Sequence, residues 1–402
     1  MVTLIRASFS LPTSLPYHSV KDSAGDIEGV RVNILIPNLG STSFKYQVLE
    51  MPSERVLGKG RLERVKDYRE ALGEIKVADA PIDAVAFKAV HGGPRYRGTF
   101  VIDDAVLAAI GEYLPAAPAH NAIYLTAVRA FQEAMPGVPL IAAFETEFHA
   151  TMPEHAARYG VPREWHDGYG IRRYGFHGAS HRYITERSAE FLGRPTDSLR
   201  LVSCHLGGSS SLCAVDRGKS VDTTMGFSLQ SGLENANRSG DVDAFAVLYM
   251  MEQRGWSAAE VSEQLTKGGG LAGLSGVPGG DVRDLEQAAA AGSADAALAL
   301  RVFAYEVRKT IGAYAAAMGG LDAVAFTGGI GENSPSLRRA CCEGLEFLGI
   351  ALDPVRNGEE TGDRALSPEG APVSVLALAT NEELVVARRA YQVLIAGPRG
   401  ET

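Results

Sequence analysis

The sequence predicts an α/β protein, and three observations carry that prediction. β-rich runs are joined by polar, glycine-containing turns at 30–51 and again at 199–215. Segments with helical periodicity lie between and after them. A short apolar run at 322–327 empties into a turn holding Gly328, Gly329 and Gly331. Strands and helices mixed in this order indicate helices packed on sheets.

The elements follow in order. Residues 1–29 read as an irregular leader, and order begins with a strand at 30–36, a turn through Pro37, Asn38, Leu39 and Gly40, and a second strand at 46–51. Helices are predicted over 103–113 and 121–133, with a strand at 139–144. The pattern then returns: strand at 199–204, polar turn at 205–210, strand at 211–215. Aligning NLGSTSFKYQV with HLGGSSSLCAV matches Leu, Gly, a Thr/Ser, a Ser and the final Val, which fits duplication and coincidence equally. Helices are expected over 241–254 and Ala258–Lys267. In a longer helix ending at Met318, Leu300, Phe303, Val307, Ile311, Tyr314 and Met318 recur every three or four residues. Gly319 and Gly320 stop it. A strand at 373–378 and a helix at 382–394 close the pattern.

Composition narrows the function. The chain has 402 residues, enough for two or three domains, and a net charge of −9 from 39 basic and 48 acidic residues. No Lys/Arg block stands out, which argues against nucleic acid as a partner. No apolar run approaches the ~20 residues that span a bilayer, and Pro12 and Pro16 break the only short apolar stretch near the N-terminus. A membrane partner is therefore not expected, and a cytoplasmic protein is. The four cysteines show no CxxC spacing and read as reduced thiols. Glycine is the outlier, with 45 residues in clusters between apolar runs, which points to backbone brought close to something.

Nucleotide and hydrolase signatures of the commonest kinds are missing: GxxxxGK[ST], HExxH and GxSxG do not occur, and no GxGxxG follows a strand in the Rossmann manner. Eight of nine histidines fall between residues 91 and 205, in compact polar motifs. Single histidines are usually satisfied structural residues. Four motifs in one half of the chain make catalysis an equal alternative. The glycine turns at 40, 207–208 and 328–331 each follow an apolar strand, as ordinary hairpin turns also do. Together with the Arg238, Ser239, Gly240, Asp241 turn, they favour backbone N–H groups cradling phosphates without net positive charge. From the residues alone the reading is a phosphate-handling α/β enzyme.

Several motifs in this order resemble the acetate kinase family of short-chain carboxylate kinases. They are AVHGG (89–93), RRYGFHGASHRYI (172–184), SCHLGGSSS (203–211), SVDTTMGFS (220–228), NRSGDVD (237–243), FTGGIGENS (326–334), GLEFLGI (344–350) and TNEEL (380–384). The resemblance implies the actin-like ATPase fold, with two ribonuclease-H-like domains and a nucleotide cleft between them. Domain I is expected over 30–150 plus 385–402 and domain II over 151–384. It further implies Mg²⁺-dependent, reversible phosphoryl transfer between ATP and a small carboxylate, giving an acyl phosphate and ADP, in a homodimer.

Roles carry over by position. Asn38, Ser41, Ser43 and Lys45 match the first phosphate hairpin, and His205, Gly207 and Gly208 the second. Asp281, Arg283, Gly329, Gly331, Glu332 and Asn333 match the adenosine pocket. Glu382, with Asn38, matches the metal side. His177 and Arg238 match groups that stabilise the transferring phosphoryl, and His120 a supporting histidine. Lys88 is expected at the carboxylate substrate, beside an apolar wall of Val90, Ala119, Phe176 and Leu229. In-line transfer needs positioning and charge stabilisation rather than covalent help, which suits these residue types.

Three functional positions depart from the family pattern, and two more do so in the acyl pocket. Lys88 stands for Arg, Glu145 for Asp, and Gly208 for the Asn of a CHLGNG-type turn. Lysine replaces a planar fork with a point charge, and Glu145 reaches one CH₂ further. Ala119 and Leu229 replace Leu and Pro. The stretch between Lys45 and Lys88 is some thirty residues shorter than in the family. These changes predict an acid other than acetate. The alternatives are a degenerate member that binds nucleotide with little transfer, and a phosphotransferase of this fold with another donor.

Overall fold

The computed structural model describes residues 29–39, 43–63, 75, 81–359 and 362–396. Ser41 and, but for Gly29, the expected leader lie outside the described residues. Ser43, Ala119 and His120 are described in backbone only.

Two six-stranded sheets organise the described residues. The first holds β1 (Val32–Leu39), β2 (Ser43–Met51), β3 (Arg55–Glu63), β4 (Ala84–Ala89), β5 (Thr99–Val101) and β6 (Leu140–Phe144), in the order β3-β2-β1-β4-β6-β5. The second holds β7 (Arg200–His205), β8 (Ser211–Asp216), β9 (Lys219–Thr223), β10 (Ala323–Thr327), β11 (Arg364–Ala365) and β12 (Ser374–Ala377), in the order β9-β8-β7-β10-β12-β11. Each sheet runs antiparallel, antiparallel, parallel, parallel, antiparallel across its five pairings. The short sequence match thus falls on corresponding hairpins, β1–β2 and β7–β8, of two similar halves.

Both sheets are covered on both faces, as near-continuous apolar strands require. In the first, successive residues of β1 and β4 point to opposite sides. Leu35, Val85 and Phe87 pack on α1 (Asp104–Glu112) and α2 (Pro118–Ala134) through Val106, Ile110, Val128 and Phe131. Ile34, Ile36, Ala84 and Ala86 face Val386, Ala387 and Ala390 of the far C-terminal helix, Glu382–Ala396. In the second sheet, Leu201, Ala323 and Ala325 meet Ile184 of α3 (Gly178–Leu192).

Among the helices that precede the last glycine turn are α4 (Ala244–Arg254), α5 (Ala258–Lys267) and α6 (Val282–Ala290). The stripe predicted for the long helix is real. In α7 (Ala294–Ala317), Phe303, Val307, Ile311 and Tyr314 are buried against Val202, Cys204, Val324 and Phe326. Beyond it come α8 (Gly328–Asn333) and the C-terminal helix, α9 (Glu382–Ala396).

Boundaries differ where local chemistry was misread. β1 runs on through the expected turn to Leu39, because Pro37 lies past the last residue of β1 that pairs with β4, so its missing N–H costs no ladder bond there. α2 starts three residues early, at Pro118, since proline suits the first turn of a helix. α4 starts late, because the Asp243 carboxylate caps it by accepting from the Phe245 N–H. The four cysteines are buried and unpaired. No helix of the described residues is long and apolar enough to cross a membrane.

Candidate active site

The carboxyl ends of parallel strands β4 and β6 meet the first turn of α9, the usual place for a ligand in an open α/β sheet. Lys88 is next to last in β4, Glu145 follows β6, and Glu382 opens α9. The Glu145 N–H donates to the Ala89 carbonyl at 2.8 Å, fixing the carboxylate beside β4. The Lys88 ammonium donates to Glu382 Oε2 and lies 3.8 Å from Glu145 Oε1. Asn38, near the end of β1, donates from Nδ2 to Glu383 Oε1 at 3.3 Å.

These charges shape one another. Burial pushes the Glu145 carboxyl up to about 7, reinforced by Glu382 and opposed by Lys88. Burial also disfavours ionised Glu382, but Lys88 and His205 outweigh it and hold that carboxyl below its ordinary value. Lys88 loses solvation and gains two carboxylates, so its ammonium is held charged.

The second half contributes the histidines. His177 stands just ahead of α3 at φ 56°, a left-handed conformation uncommon for a side chain with a Cβ. The next N–H, of Gly178, donates to the Glu145 carbonyl at 3.1 Å, pinning His177 to the carboxylate side. The His177 ring stacks on His205 at 4.3 Å between centroids. His177 Nδ1 lies 2.8 Å from Ser211 Oγ, and His205 Nδ1 2.8 Å from Ser180 Oγ. Burial first, then His205, His181 and Lys88, hold His177 well below the usual imidazole range.

Arg238 is clamped by its own neighbourhood. One terminal nitrogen donates to the Leu229 carbonyl at 2.8 Å and the other to Ser209 Oγ. Burial lowers its guanidinium to about 10, still fully charged at neutral pH. Leu229 also belongs to a small apolar cluster with Phe176, Met225 and Ala117, against which Val90 packs. Three of the four expected wall residues therefore come together. Ala119 is the second residue of α2, and its side chain lies outside the described residues.

Two of the three glycine turns meet as well, while Gly40 lies outside the described residues. The Leu206 carbonyl accepts from Ile330 at 2.9 Å and Gly331 at 3.2 Å, so the turn after β7 and the start of α8 are one unit. A Cβ on Gly328 would come within 2.6 Å of that carbonyl oxygen. A Cβ on Gly207 or Gly329 would meet nothing closer than 3.4 Å, and one on Gly208 nothing within 4 Å. Glycine at 208 is therefore not enforced by crowding.

Some expected residues spend their side chains elsewhere. The Glu332 carboxylate accepts from the Gly328 N–H at 3.0 Å, and Asn333 Nδ2 donates to the Gly329 carbonyl at 2.9 Å. Asp281 caps α6 and pairs bidentately with Arg283, at 3.0 and 2.6 Å. Neither residue of that pair hydrogen-bonds or ion-pairs with Lys88, His177 or Arg238. Lys45 lies on β2 opposite Asn38, exposed.

Two histidine motifs prove structural. His91 accepts from the Gly93 N–H and donates to the Phe227 carbonyl at 3.1 Å, and burial lowers it to about 4. His149 donates to the Phe176 carbonyl at 2.9 Å. Sequence reasoning missed Ser180, His181, Ser209 and Ser211. The i, i+4 spacing of His177 and His181 was the available signal, because it places both on one face of a helix.

Comparison with known proteins decides the family. The profile of the Acetokinase family matches residues 70–388. Over 387 residues the chain is 44% identical to the acetate kinase of Geobacillus kaustophilus, covering 88% of this chain and 97% of that one. The chain belongs to the acetate kinase family. It is accordingly a phosphotransferase with a carboxyl group as acceptor. The Porphyromonas gingivalis acetate kinase structure superimposes with a TM-score of 0.82 at 35% identity, covering 90% of this chain and 100% of that one. A propionate kinase from Francisella tularensis gives 0.82 at 31% identity, covering 89% and 98%. The two matching sheets are those of the actin-like ATPase fold that the acetate kinase family shares.

Proposed function

We propose that this member of the acetate kinase family transfers the γ-phosphoryl of ATP reversibly to a short-chain carboxylate other than acetate, with Mg²⁺, giving an acyl phosphate and ADP. The observation that carries the reading is a convergence. One ammonium with two carboxylates, a buried guanidinium, a neutral histidine pair and an apolar patch adjoin the carboxyl ends of the sheet strands.

The donor set suits Mg²⁺. Glu145 Oε1 is buried without a hydrogen-bond partner among the described residues, and Glu382 and the Asn38 amide add hard oxygens. No group of three or more His, Cys, Asp or Glu able to cage a metal occurs among the described residues. Mg²⁺ typically uses one or two carboxylates together with waters and substrate phosphates, so no cage is needed. When bound, the ion would neutralise phosphate charge. The remaining work falls to the chain. Lys88 keeps donors beyond its Glu382 contact to hold the acid's carboxylate, and Val90, Phe176 and Leu229 receive its alkyl part. A carboxylate is ionised at neutral pH and attacks without a general base. Arg238 and His177 then meet the charge that spreads over the phosphoryl oxygens.

Hydroxamate formation with ATP across a panel of linear, branched and hydroxylated acids tests this. The expected kcat/KM optimum lies at an acid other than acetate, and a clear acetate optimum would overturn that choice. The contact between Lys88 and Glu382 favours a second reading, a nucleotide binder with little transfer, because it occupies a carboxylate the metal needs. ATP binding by calorimetry with no turnover of any acid would establish it.

The homodimer belongs to the same proposal. α4 buries none of its residues, and Phe245, Leu248 and Tyr249 form an exposed apolar stripe, Phe245 being 79% exposed. A second copy of this chain covers it. Phe245→Glu is expected to shift the protein from dimer to monomer in light scattering at micromolar concentration; an unchanged mass would place the interface elsewhere.

A further inference from the structure

We propose that Ser203, His181 and Ser211 form a buried hydrogen-bond relay that fixes the tautomer of His177, with its proton on Nε2. His177 stands just before α3 and His181 one turn into it, while Ser203 lies on β7 and Ser211 opens β8. Ser203 Oγ is 2.9 Å from His181 Nδ1. Ser211 Oγ is 2.8 Å from His181 Nε2 and 2.8 Å from His177 Nδ1. Ser203, Ser211 and His181 are fully buried, whereas His177 reaches the edge of the buried region at 9% exposure.

The direction of the relay follows from counting hydrogens. A serine hydroxyl has one proton, and a neutral imidazole donates from one nitrogen and accepts at the other. Among the described residues, the Ser203 hydroxyl has one hydrogen-bond partner, His181 Nδ1. Were Nδ1 the donor, the Ser203 proton would be buried with no acceptor, a cost of about 1–3 kcal/mol. Ser203 therefore donates to His181 Nδ1. His181 then carries its proton on Nε2 and donates to Ser211. Ser211, whose partners among the described residues are these two rings, donates to His177 Nδ1. His177 is left with N–H on Nε2, the nitrogen free for a ligand. The reverse relay would present a lone pair there, which anionic phosphoryl oxygens would repel. Burial keeps His181 well below the usual imidazole range, so the single-proton count holds.

Ser203, His181 and Ser211 are thus positioning residues, and their effect on turnover rests on the proposed use of His177. Long-range ¹H–¹⁵N spectra of the full-length protein with ¹⁵N-labelled histidine read the tautomers without reference to activity. Both His177 and His181 are expected as Nε2–H. Ser203→Ala is expected to leave His181 and His177 as mixtures of tautomers and to lower kcat about 10–100-fold, as loss of an orienting partner does, with KM unchanged. Ser203→Thr, which keeps the hydroxyl, restores both. Ser211→Ala, with the same spectral readout, serves if Ser203→Ala does not fold. His177 found as Nδ1–H in the unaltered protein, or an unchanged His177 spectrum in both alanine variants, overturns the relay. The expected spectra with kcat unchanged would support the relay and overturn the use of His177 in transfer.

Discussion

Arg238→Ala is expected to reduce kcat by about 10³-fold or more, the scale on which an arginine acts in phosphoryl transfer, while nucleotide affinity changes little. The reason is where the guanidinium is held. The Leu229 carbonyl and the Ser209 hydroxyl fix its two terminal nitrogens, so the side chain is organised before any ligand arrives. Arg238 is also among the charges that depress His177, so the two groups share one electrostatic neighbourhood. Preorganised donors matter most where charge develops in the transition state, so the loss belongs in kcat rather than in binding. Steady-state kinetics with the preferred acid, alongside calorimetry with ATP and Mg²⁺, separates the two. Equal losses in kcat and in affinity would refute the assignment.

Gly178→Ala is expected to destabilise the fold by about 2–3 kcal/mol, as an overpacked site does, and to lower kcat with it. Glycine opens α3, and its φ is not left-handed, so alanine would ordinarily favour the helix by about 1 kcal/mol. Here the added Cβ would fall 2.1 Å from the Glu145 carbonyl oxygen and 3.3 Å from the Phe148 Cβ. Backbone sets the closer contact, so no side chain can rotate to relieve it. The oxygen it strikes is the one that accepts the Gly178 N–H and ties His177 to the carboxylates. One methyl group therefore opposes two halves of the site at their junction. Urea denaturation measures the first effect. A variant as stable as the parent, or more so, would show that the junction relaxes freely.

Much of the fold was legible because periodicity reports directly on burial. The stripe from Phe303 to Tyr314 and the short apolar strands at β6 and β10 were readable for that reason. What sequence could not supply was proximity between distant segments. Lys88 and Glu382 stand 294 residues apart, and no local pattern announces that they touch. Resemblance placed Val90, Phe176 and Leu229 on one wall, and they do pack together. Ala117 and Met225 escaped notice because an apolar residue beside a pocket looks like any other core residue. Asp281 and Arg283 show the converse. Their motif is plain, yet cap geometry two residues apart lets each satisfy the other. The relay serines were invisible because a serine in a strand carries no signal until its partners are known.

The helix that begins at Glu382 has a consequence for biosynthesis. It lays Val386, Ala387 and Ala390 over the face of the first sheet formed by Ile34, Ile36, Ala84 and Ala86. Every described strand of that sheet has been translated once Phe144 is added, whereas its cover starts at Glu382. At about 5–20 residues per second, the interval between them is roughly 10–50 s. For that time a flat apolar surface stands open on a growing chain, a natural client for a nascent-chain chaperone. The same late helix brings the carboxylate that meets Lys88. Closure of the sheet and completion of the charged cluster thus both wait on the same late helix.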